Sequence, residues 1–262
     1  MALHVRDVHK SFQGLKALQG VTLEVPAGEV TAVIGPNGAG KTTLFNCITG
    51  LFPPDRGEVV LPGDTGEVAL HGRSMEEIAR LGLARTFQQV RLFDQLSALD
   101  NVVLGGLHGH AIGWWAAIGD RLFGSRRRHL QLRETAMTHL RRVGLDRLAL
   151  QLAGNLDHGN RRRLEIARAI AARPRVLLLD EPAAGMNRVE TDGLMALLRE
   201  LCAEGLAVLL IEHDMKLVMQ VAARIHVLDH GVPLMSGTPA EVSVDPRVIE
   251  AYLGSTSSHA AG

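Results

Sequence analysis

A glycine-rich segment carries the clearest chemical signal in the sequence. Residues 35–42 read Gly-Pro-Asn-Gly-Ala-Gly-Lys-Thr and match the pattern G-x-x-x-x-G-K-[ST]. An apolar run at 30–34 precedes them and a helix-like segment follows, which is the context in which this pattern wraps a phosphate chain. Backbone N–H groups and the helix N-terminus attract phosphate oxygens. The residues predicted to bind a nucleotide here are Gly35, Pro36, Asn37, Gly38, Ala39, Gly40, Lys41, Thr42 and Thr43.

Two adjacent carboxylates add the groups that phosphate hydrolysis needs. Lys41 is expected to reach the β- and γ-phosphates, and the Thr42 hydroxyl is expected to hold Mg²⁺. Asp180 and Glu181 follow a second apolar run at 176–179. We expect Asp180 to help hold Mg²⁺ through water. Glu181 is expected to orient and polarise the attacking water, because water alone is a poor nucleophile.

The elements that must position these residues alternate between strand and helix. The apolar runs at 30–34, 176–179 and 206–211 are typical of strands buried on both faces. Their alternation with helices predicts an α/β fold with a mostly parallel sheet, and a strand-rich opening adds an antiparallel part. His213 follows the third run, at the sheet edge where such sites gather, and could hydrogen-bond the γ-phosphate. Helices are predicted at 41–49, 75–81, 131–143, 161–172 and 190–203, and a hairpin at 225–235.

Composition narrows the classes of protein that fit. The chain has 262 residues, with 28 Lys+Arg against 28 Asp+Glu. This balance argues against a partner that is nucleic acid, because a general nucleic-acid binder shows a basic excess. Cys47 and Cys202 are far apart in sequence and form neither a disulfide framework nor a zinc motif. No stretch approaches the roughly 18 apolar residues of a spanning helix, so any membrane role is expected to come through a partner.

The order of the motifs resembles that of ABC-transporter ATP-binding subunits. The phosphate loop, Gln88, a glycine motif before a basic helix, Asp180-Glu181 and His213 follow the family's order. Ala-Arg-Thr-Phe-Gln, Arg-Leu-Glu-Ile-Ala-Arg-Ala and Leu-Leu-Leu-Asp-Glu-Pro-Ala-Ala-Gly-Met-Asn look like the branched-chain amino-acid uptake subfamily (the LivG type). The resemblance implies a P-loop NTPase of the ABC ATPase type, with a mostly parallel core sheet, an antiparallel N-terminal β part and a helical subdomain.

The resemblance covers nearly the whole chain, from residue 3 to residue 253. It implies one ABC ATP-binding domain at 1–254, with its helical subdomain at 90–172. The polar segment 255–262 is expected to be a disordered tail. Within the helical subdomain, the pair Trp114-Trp115 either faces a membrane subunit or packs locally, and the sequence leaves both open.

The resemblance also implies roles for single positions. Phe12 lies where the family stacks an aromatic ring on adenine, although a packed ring at a strand end is the alternative. Gln88 corresponds to a glutamine that senses Mg²⁺ and nucleotide and couples to the membrane subunit. His213 corresponds to the switch histidine at the γ-phosphate. In this family two such domains enclose two ATP molecules, each between the phosphate loop of one subunit and the signature motif of the other.

The signature motif departs from the family pattern. Where the family has Leu-Ser-Gly-Gly-Gln, this chain has Leu156, Asp157, His158, Gly159 and Asn160. An ionised Asp157 cannot donate a hydrogen bond to the partner's γ-phosphate and repels it. At ~4 Å and an effective dielectric constant near 20, one such charge pair costs about 4 kcal/mol. We therefore predict an asymmetric pair, in which this chain has a complete phosphate-loop face but offers its partner a weak signature.

The resemblance implies an ATP-hydrolysing subunit that energises an importer, with branched-chain amino acids as the expected cargo and ATP and Mg²⁺ as cofactors. Uptake of another small amide or acid, such as urea or an aromatic acid, is one alternative. A regulatory nucleotide-binding module without turnover is another. Expected partners are a second, LivF-type ATPase or a second copy of the chain, two membrane permeases and, through them, an external solute-binding protein. The expected location is the cytoplasmic face of the inner membrane.

Overall fold

Strands and helices alternate along the chain in this computed structural model, which describes residues 2–63, 66–87, 90–108 and 125–257. Gln88 and the Trp114-Trp115 pair lie outside the described residues. The strands are β1 (Leu3–Phe12), β2 (Leu15–Val25), β3 (Val30–Ile34), β4 (Arg56–Gly63), β5 (Gly66–Ala69), β6 (Leu83–Arg85), β7 (Val176–Asp180), β8 (Ala207–Ile211), β9 (Arg224–Asp229) and β10 (Val232–Gly237). The helices are α1 (Lys41–Ile48), α2 (Met75–Arg80), α3 (Ala98–His108), α4 (Ser125–Arg142), α5 (His158–Ala171), α6 (Arg188–Ala203), α7 (Met215–Val221), α8 (Pro239–Val244) and α9 (Pro246–Ser257).

A mostly parallel sheet carries the predicted site residues at one edge. Its strand order is β10-β9-β3-β8-β7-β6, in which β10 is antiparallel to β9 and the other neighbours are parallel. Strands β3, β7 and β8 are buried along their whole length, because other layers cover both faces of the sheet. The segments that follow these strands therefore meet at one edge. This arrangement confirms the predicted α/β fold and its parallel core.

An antiparallel sheet of order β2-β1-β4-β5 supports the first helix. Its apolar residues Leu3, Val5 and Val8 belong to the same buried cluster as Phe45 and Ile48 of α1. The sheet thus packs against the helix that follows the phosphate loop. The predicted antiparallel N-terminal part is confirmed.

Three helices, α3, α4 and α5, pack together within the range predicted for the helical subdomain. The sequence predicted no helix between 82 and 130, but α3 lies within that range. Gly105 and Gly106 weaken the helical signal in the sequence. Gly105 has a packing reason, since a Cβ there would lie 2.3 Å from the carbonyl oxygen of Arg168 on α5. None of the helices in the described ranges has the length and apolar character that crossing a bilayer requires.

Several element boundaries differ from the predicted ones. Helix α4 begins at Ser125 rather than at 131, and α5 begins at His158 rather than at 161. The carboxylate of Asp157 accepts a hydrogen bond from the first turn of α5 and so starts that helix early. Helix α9 continues to Ser257, three residues beyond the predicted end of the domain, and residues 258–262 lie outside the described part of the chain.

The turn between β9 and β10 lies behind the phosphate loop. The Gln19 N–H of β2 donates to the carbonyl oxygen of Gly231 at 2.8 Å, and the Gly231 N–H donates to the carbonyl oxygen of Ala39 at 3.1 Å. The Gln19 side chain also donates to the His230 carbonyl oxygen at 3.0 Å, across 211 positions in the sequence. The second strand of the chain and the late hairpin thus jointly support the loop from behind.

Candidate nucleotide site

The phosphate loop joins β3 to α1 in a conformation that only glycine tolerates at its last turn. Gly40 has φ 98°, and a Cβ there would lie 2.5 Å from the carbonyl oxygen of Ala17. Gly40 is also the N-cap of α1, and no side chain caps this helix. The N–H groups of the first turn are therefore left to a ligand, which is how a helix N-terminus binds phosphate.

Lys41 is held inside the loop that it is predicted to serve. Its Nζ donates to the carbonyl oxygens of Gly35 at 2.7 Å and Pro36 at 2.9 Å. Burial lowers the pKa of Lys41, while the carboxylates of Glu181 and Asp180 act in the opposite direction. The ammonium group thus lies between the loop and the acidic strand end, close to where a phosphate chain would pass.

Glu181 and His213 meet across the ends of two neighbouring strands. Glu181 follows β7 and His213 follows β8, and Glu181 Oε1 lies 2.6 Å from His213 Nε2. Glu181 has a left-handed backbone, φ 49°, and its N–H donates to the carbonyl oxygen of Ile211 at 2.9 Å. A carboxylate and an imidazole in contact can orient a water molecule and exchange a proton with it.

Glu212 is a site residue to which the sequence analysis gave no role. Its carboxylate accepts from the N–H groups of Ala183 at 2.8 Å and His213 at 3.1 Å. Burial raises the pKa of Glu212, although these backbone donors act against the rise. Glu212 thus ties the end of β8 to the loop that follows Glu181. The sequence did contain a signal for Glu212, because a charged residue ends an apolar strand there and precedes a candidate histidine.

Asp180 lies behind the nucleotide cavity rather than in its wall. Its side chain is 3% exposed, and Oδ2 accepts from the guanidinium of Arg85 at 3.0 Å. The Asp180 N–H donates to the Thr86 hydroxyl at 3.3 Å. Among the described residues, Oδ1 has no hydrogen-bond partner. A carboxylate oxygen and the Thr42 hydroxyl are the hard oxygen ligands that suit Mg²⁺, so these residues fit the predicted ion.

A cavity of about 430 Å³ joins most of the predicted nucleotide residues. Phe12 lies in its wall and is 38% exposed, with its ring edge-to-face against Phe52 at 5.3 Å between centroids. An exposed ring at the rim is available to stack on a base. The predicted residues in the wall are Phe12, Asn37, Gly38, Ala39, Gly40, Lys41, Thr42, Thr43, Glu181 and His213.

The signature segment begins α5 with a different kind of N-terminus. Asp157 Oδ1 accepts from the Asn160 N–H at 2.8 Å, and Oδ2 accepts from the Asn160 side-chain amide at 2.6 Å. The ring of His158 packs on Gly185, where a Cβ would lie 2.9 Å from Nδ1. The carboxylate of Asp157 is exposed and turned toward its own helix, and the described wall of the cavity does not include residues 156–160.

A buried ion pair on α5 holds the main chain beside Gln88. Arg162 and Glu165 are each 1% exposed and are joined at 3.0 Å. Glu165 Oε1 accepts from the Phe87 N–H at 3.2 Å, and Arg162 donates to the Phe87 carbonyl oxygen. The helix that begins with the signature segment is therefore attached to the residue that precedes Gln88. Sequence reasoning treated this pair only as part of a basic helix.

An apolar groove of about 750 Å³ opens between the parallel sheet and the α3–α5 helices. It does not overlap the predicted phosphate loop. Its lining combines aliphatic residues of α2, β6 and α3 with two aromatic residues from the segment between β6 and α3 and with charged residues of α5. Among the lining residues are Ile78, Arg85, Phe87, Phe93, Leu104 and Leu107.

Two family models match this chain. The model described as "ABC transporter" matches residues 18–184, and the model described as "Branched-chain amino acid ATP-binding cassette transporter" matches residues 233–256. The first match includes the phosphate loop and the acidic strand end. The second match includes most of β10, all of α8 and most of α9.

Similar proteins span almost the same length. The high-affinity branched-chain amino acid transport ATP-binding protein BraF of Pseudomonas aeruginosa is 45% identical, over 96% of this chain and 97% of its own. LivG of Escherichia coli, with the same description, is 42% identical over 96% and 97%. A crystal structure of the ADP conformation of an ATP-binding cassette of an ABC transporter superposes with a TM-score of 0.82, at 29% identity, over 97% and 98% of the two chains.

Proposed function

The chain belongs to the ABC transporter ATP-binding family, and from this premise we propose that it is the ATP-hydrolysing subunit of an importer for branched-chain amino acids. The contact of Glu181 Oε1 with His213 Nε2, 2.6 Å, at the rim of the phosphate-loop cavity carries this proposal. It supports turnover, which a regulatory nucleotide-binding module does not need. The branched-chain cargo rests on the similarity to BraF and LivG, and uptake of urea or an aromatic acid is the alternative.

The phosphate loop binds and orients ATP in this proposal. Its backbone N–H groups and the uncapped start of α1 receive the phosphate oxygens, and Lys41 exchanges its carbonyl partners for the β- and γ-phosphates. Phe12 stacks on the adenine ring. Thr42, Asp180 and Gln88 are the residues proposed to hold Mg²⁺, which when bound neutralises charge that develops on the phosphates. Gln88 keeps this role as a prediction from the resemblance.

Glu181 and His213 act on the water that attacks the γ-phosphate. The Glu181 carboxylate orients and polarises this water, and His213 donates a hydrogen bond to the γ-phosphate. Their mutual contact fixes both side chains before the substrate arrives, which removes part of the ordering that the reaction would otherwise require. Glu212 fixes the main chain on both sides of this pair.

The second face of the ATP comes from another ATPase subunit. In the proposed head-to-tail pair, residues 156–160 face the partner's γ-phosphate, and the partner's signature faces the ATP on this chain. Asp157 makes this chain a weak contributor, because its ionised carboxylate lies where the family has a hydroxyl donor. A LivF-type ATPase with an intact signature is therefore the favoured partner over a second copy of the chain.

The apolar groove is the proposed docking place for a permease. It is bordered by Phe87, which precedes Gln88, and by α5, which begins with the signature segment. A permease segment seated there would contact both halves of the ATP machinery. Two permeases and an external solute-binding protein complete the proposed importer and place this chain at the cytoplasmic face of the membrane.

Mg-ATP hydrolysis by the purified chain, alone and mixed with a LivF-type partner, tests the function. Turnover in the mixture that disappears in Glu181→Gln, while ATP binding persists, is the expected result. ATP binding without turnover in either case would favour the regulatory module. Cargo is tested separately, by uptake of labelled leucine, urea or an aromatic acid into vesicles that contain the complete importer.

A further inference from the structure

Arg85 is a buried cation beside the nucleotide site that the proposed chemistry leaves without a role. It ends β6, and its side chain is 7% exposed. One guanidinium nitrogen, Nη2, donates to Asp180 Oδ2 at 3.0 Å. The other, Nη1, donates to Asn46 Oδ1 at 2.7 Å and to the Thr49 hydroxyl at 3.2 Å. Asn46 belongs to α1, so one side chain bridges the helix of the phosphate loop and the acidic strand.

Aromatic rings from α1 and from the segment that follows β6 also contact the guanidinium. Its central carbon lies 5.5 Å from the ring centroid of Phe45 on α1 and 5.1 Å from that of Phe87. A planar guanidinium can stack on such rings and still donate hydrogen bonds within its own plane, which an ammonium group cannot do. The orientation of Arg85 is therefore fixed by contacts that are independent of Asp180.

We infer that Arg85 is a positioning residue for Mg²⁺: it fixes the Asp180 carboxylate through Oδ2 and leaves Oδ1, which has no hydrogen-bond partner among the described residues, available as a ligand. This inference rests on the metal role proposed for Asp180. Ligating carboxylates need outer partners of this kind to orient them. Arg85 acts through Asp180 and does not border the nucleotide cavity.

The same arginine connects the metal carboxylate to the apolar groove. The groove is bordered by Arg85 itself and by two residues that contact its guanidinium, Phe87 and Thr49. A permease segment that displaces Phe87 would therefore act on the support of Asp180. The Arg85 side chain thus borders the groove and also donates to the Asp180 carboxylate.

Metal affinity tests the inference without relying on turnover. The chain is saturated with a non-hydrolysable ATP analogue, and its affinity for Mn²⁺, the probe, is followed by electron paramagnetic resonance. Arg85→Gln is expected to weaken Mn²⁺ binding by about 10–100-fold, the usual effect of losing an outer partner of a metal ligand. Affinity for the analogue without metal should stay unchanged, because the loop amides are untouched. Arg85→Lys should recover part of the loss, since an ammonium can hold Asp180 but not the amide and hydroxyl on α1 as well.

Two further variants keep the test independent of folding defects. Asn46→Ala removes the 2.7 Å partner on α1 but keeps the charge, and is expected to weaken Mn²⁺ binding in the same direction by a smaller factor. Arg142→Gln is the matched control, because Arg142 is a half-buried arginine paired with Glu200 and Glu204 outside the nucleotide site. It should bind Mn²⁺ as the wild type does.

Asp180→Asn separates failure of this inference from failure of the proposed function. If Asp180→Asn weakens Mn²⁺ binding while folded Arg85→Gln and Asn46→Ala bind it normally or more tightly, Arg85 does not position the carboxylate and the inference is overturned. If Asp180→Asn also binds Mn²⁺ normally, the metal role of Asp180 falls, and the inference falls with it.

Discussion

Two helices of this molecule begin at a predicted phosphate site, and they begin in opposite ways. The N-cap of helix α1 is Gly40, which offers no side chain, so the N–H groups of the first turn are left to a ligand. The N-cap of helix α5 is Asp157, whose carboxylate accepts from the Asn160 N–H at 2.8 Å. The first N-terminus can take an external anion, whereas the second already holds an internal one.

The comparison shows that a helix N-terminus can bind an anion only when the side chain of its N-cap does not already accept from the N–H groups of the first turn. An aspartate N-cap stabilises a helix well, and it does so with the same N–H groups and the same positive potential that would attract phosphate. Stability and ligand binding therefore compete for one feature. In this chain the N-terminus of α1 keeps its N–H groups for a ligand, whereas the N-terminus of α5 uses one of them for a cap that stabilises the helix.

The largest effect is expected from removing the base on the open face. Glu181→Gln should reduce ATP turnover in the mixture with a partner ATPase by about 10²–10⁴-fold, because the amide cannot polarise water as a carboxylate does. ATP affinity should remain, and steady-state hydrolysis with parallel binding measurements checks both. Glu24→Gln, an exposed change on β2, is the control and should hydrolyse normally. Equal activity of Glu181→Gln and the wild type would remove Glu181 from the mechanism.

A carboxylate added to the first turn of α1 should make this helix N-terminus resemble that of α5. Thr43→Asp places a carboxylate in the first turn of α1, where it repels phosphate and weakens ATP binding by about 1,000-fold, given some 4 kcal/mol for one charge pair at 4 Å. The same carboxylate should raise the free energy of unfolding by about 0.3–1 kcal/mol through the helix dipole. Thr43→Asn is the neutral control. Binding titrations and thermal melts give the two readouts, and unchanged ATP affinity in Thr43→Asp would contradict the comparison.

Opening the closed helix start should restore function on the signature face. Asp157→Ser supplies a hydroxyl donor and removes the repulsion, so hydrolysis by the chain alone should rise by about tenfold or more, each 1.4 kcal/mol being about tenfold in rate. Serine is also a good N-cap, and stability should stay within about 0.5 kcal/mol of the wild type. If the wild type already hydrolyses ATP briskly alone, with a rate that rises as the square of its concentration, the predicted asymmetry is wrong.

The smallest effect separates the cap from the charge. Asp157→Ala removes both the repulsion and the acceptor of the two hydrogen bonds that Asn160 donates, and should lower the free energy of unfolding by about 1 kcal/mol. Turnover of the chain alone should rise less than in Asp157→Ser, because alanine gives no donor. Denaturant unfolding of the wild type, Asp157→Ser and Asp157→Ala ranks the three proteins by their free energy of unfolding. A stability of Asp157→Ala equal to that of the wild type would show that the cap contributes little to α5.

The fold and the phosphate-loop side of the site were predictable because the sequence patterns that indicate them are contiguous. The phosphate loop is a contiguous pattern, and the runs before Asp180 and His213 identify buried strands whose ends meet in any parallel sheet. The cap at Asp157 was also readable, since an aspartate before a helical pattern marks a helix start. The predicted start of α5 lies three residues too late, because Asp157 was interpreted only as a replacement for the family's serine.

The residues that support the site from behind were not predictable in the same way. The contact of Arg85 with Asp180 depends on β6 lying beside β7, which brings together residues 95 positions apart. The grip of Arg162 and Glu165 on Phe87 likewise depends on tertiary packing. Helix α3 was missed because Gly105 weakens the local pattern, while the close approach to α5 that requires this glycine appears only in three dimensions.

The hydrogen bonds from the β9–β10 turn to Gln19 and Ala39 have a consequence for biosynthesis. A ribosome delivers Ala39 early and Gly231 late, yet the carbonyl oxygen of Ala39 is paired only when Gly231 has emerged. The nascent chain therefore carries a phosphate loop without its rear support for most of translation. A ligand that binds only the supported loop would therefore stabilise the fold only after the hairpin has docked.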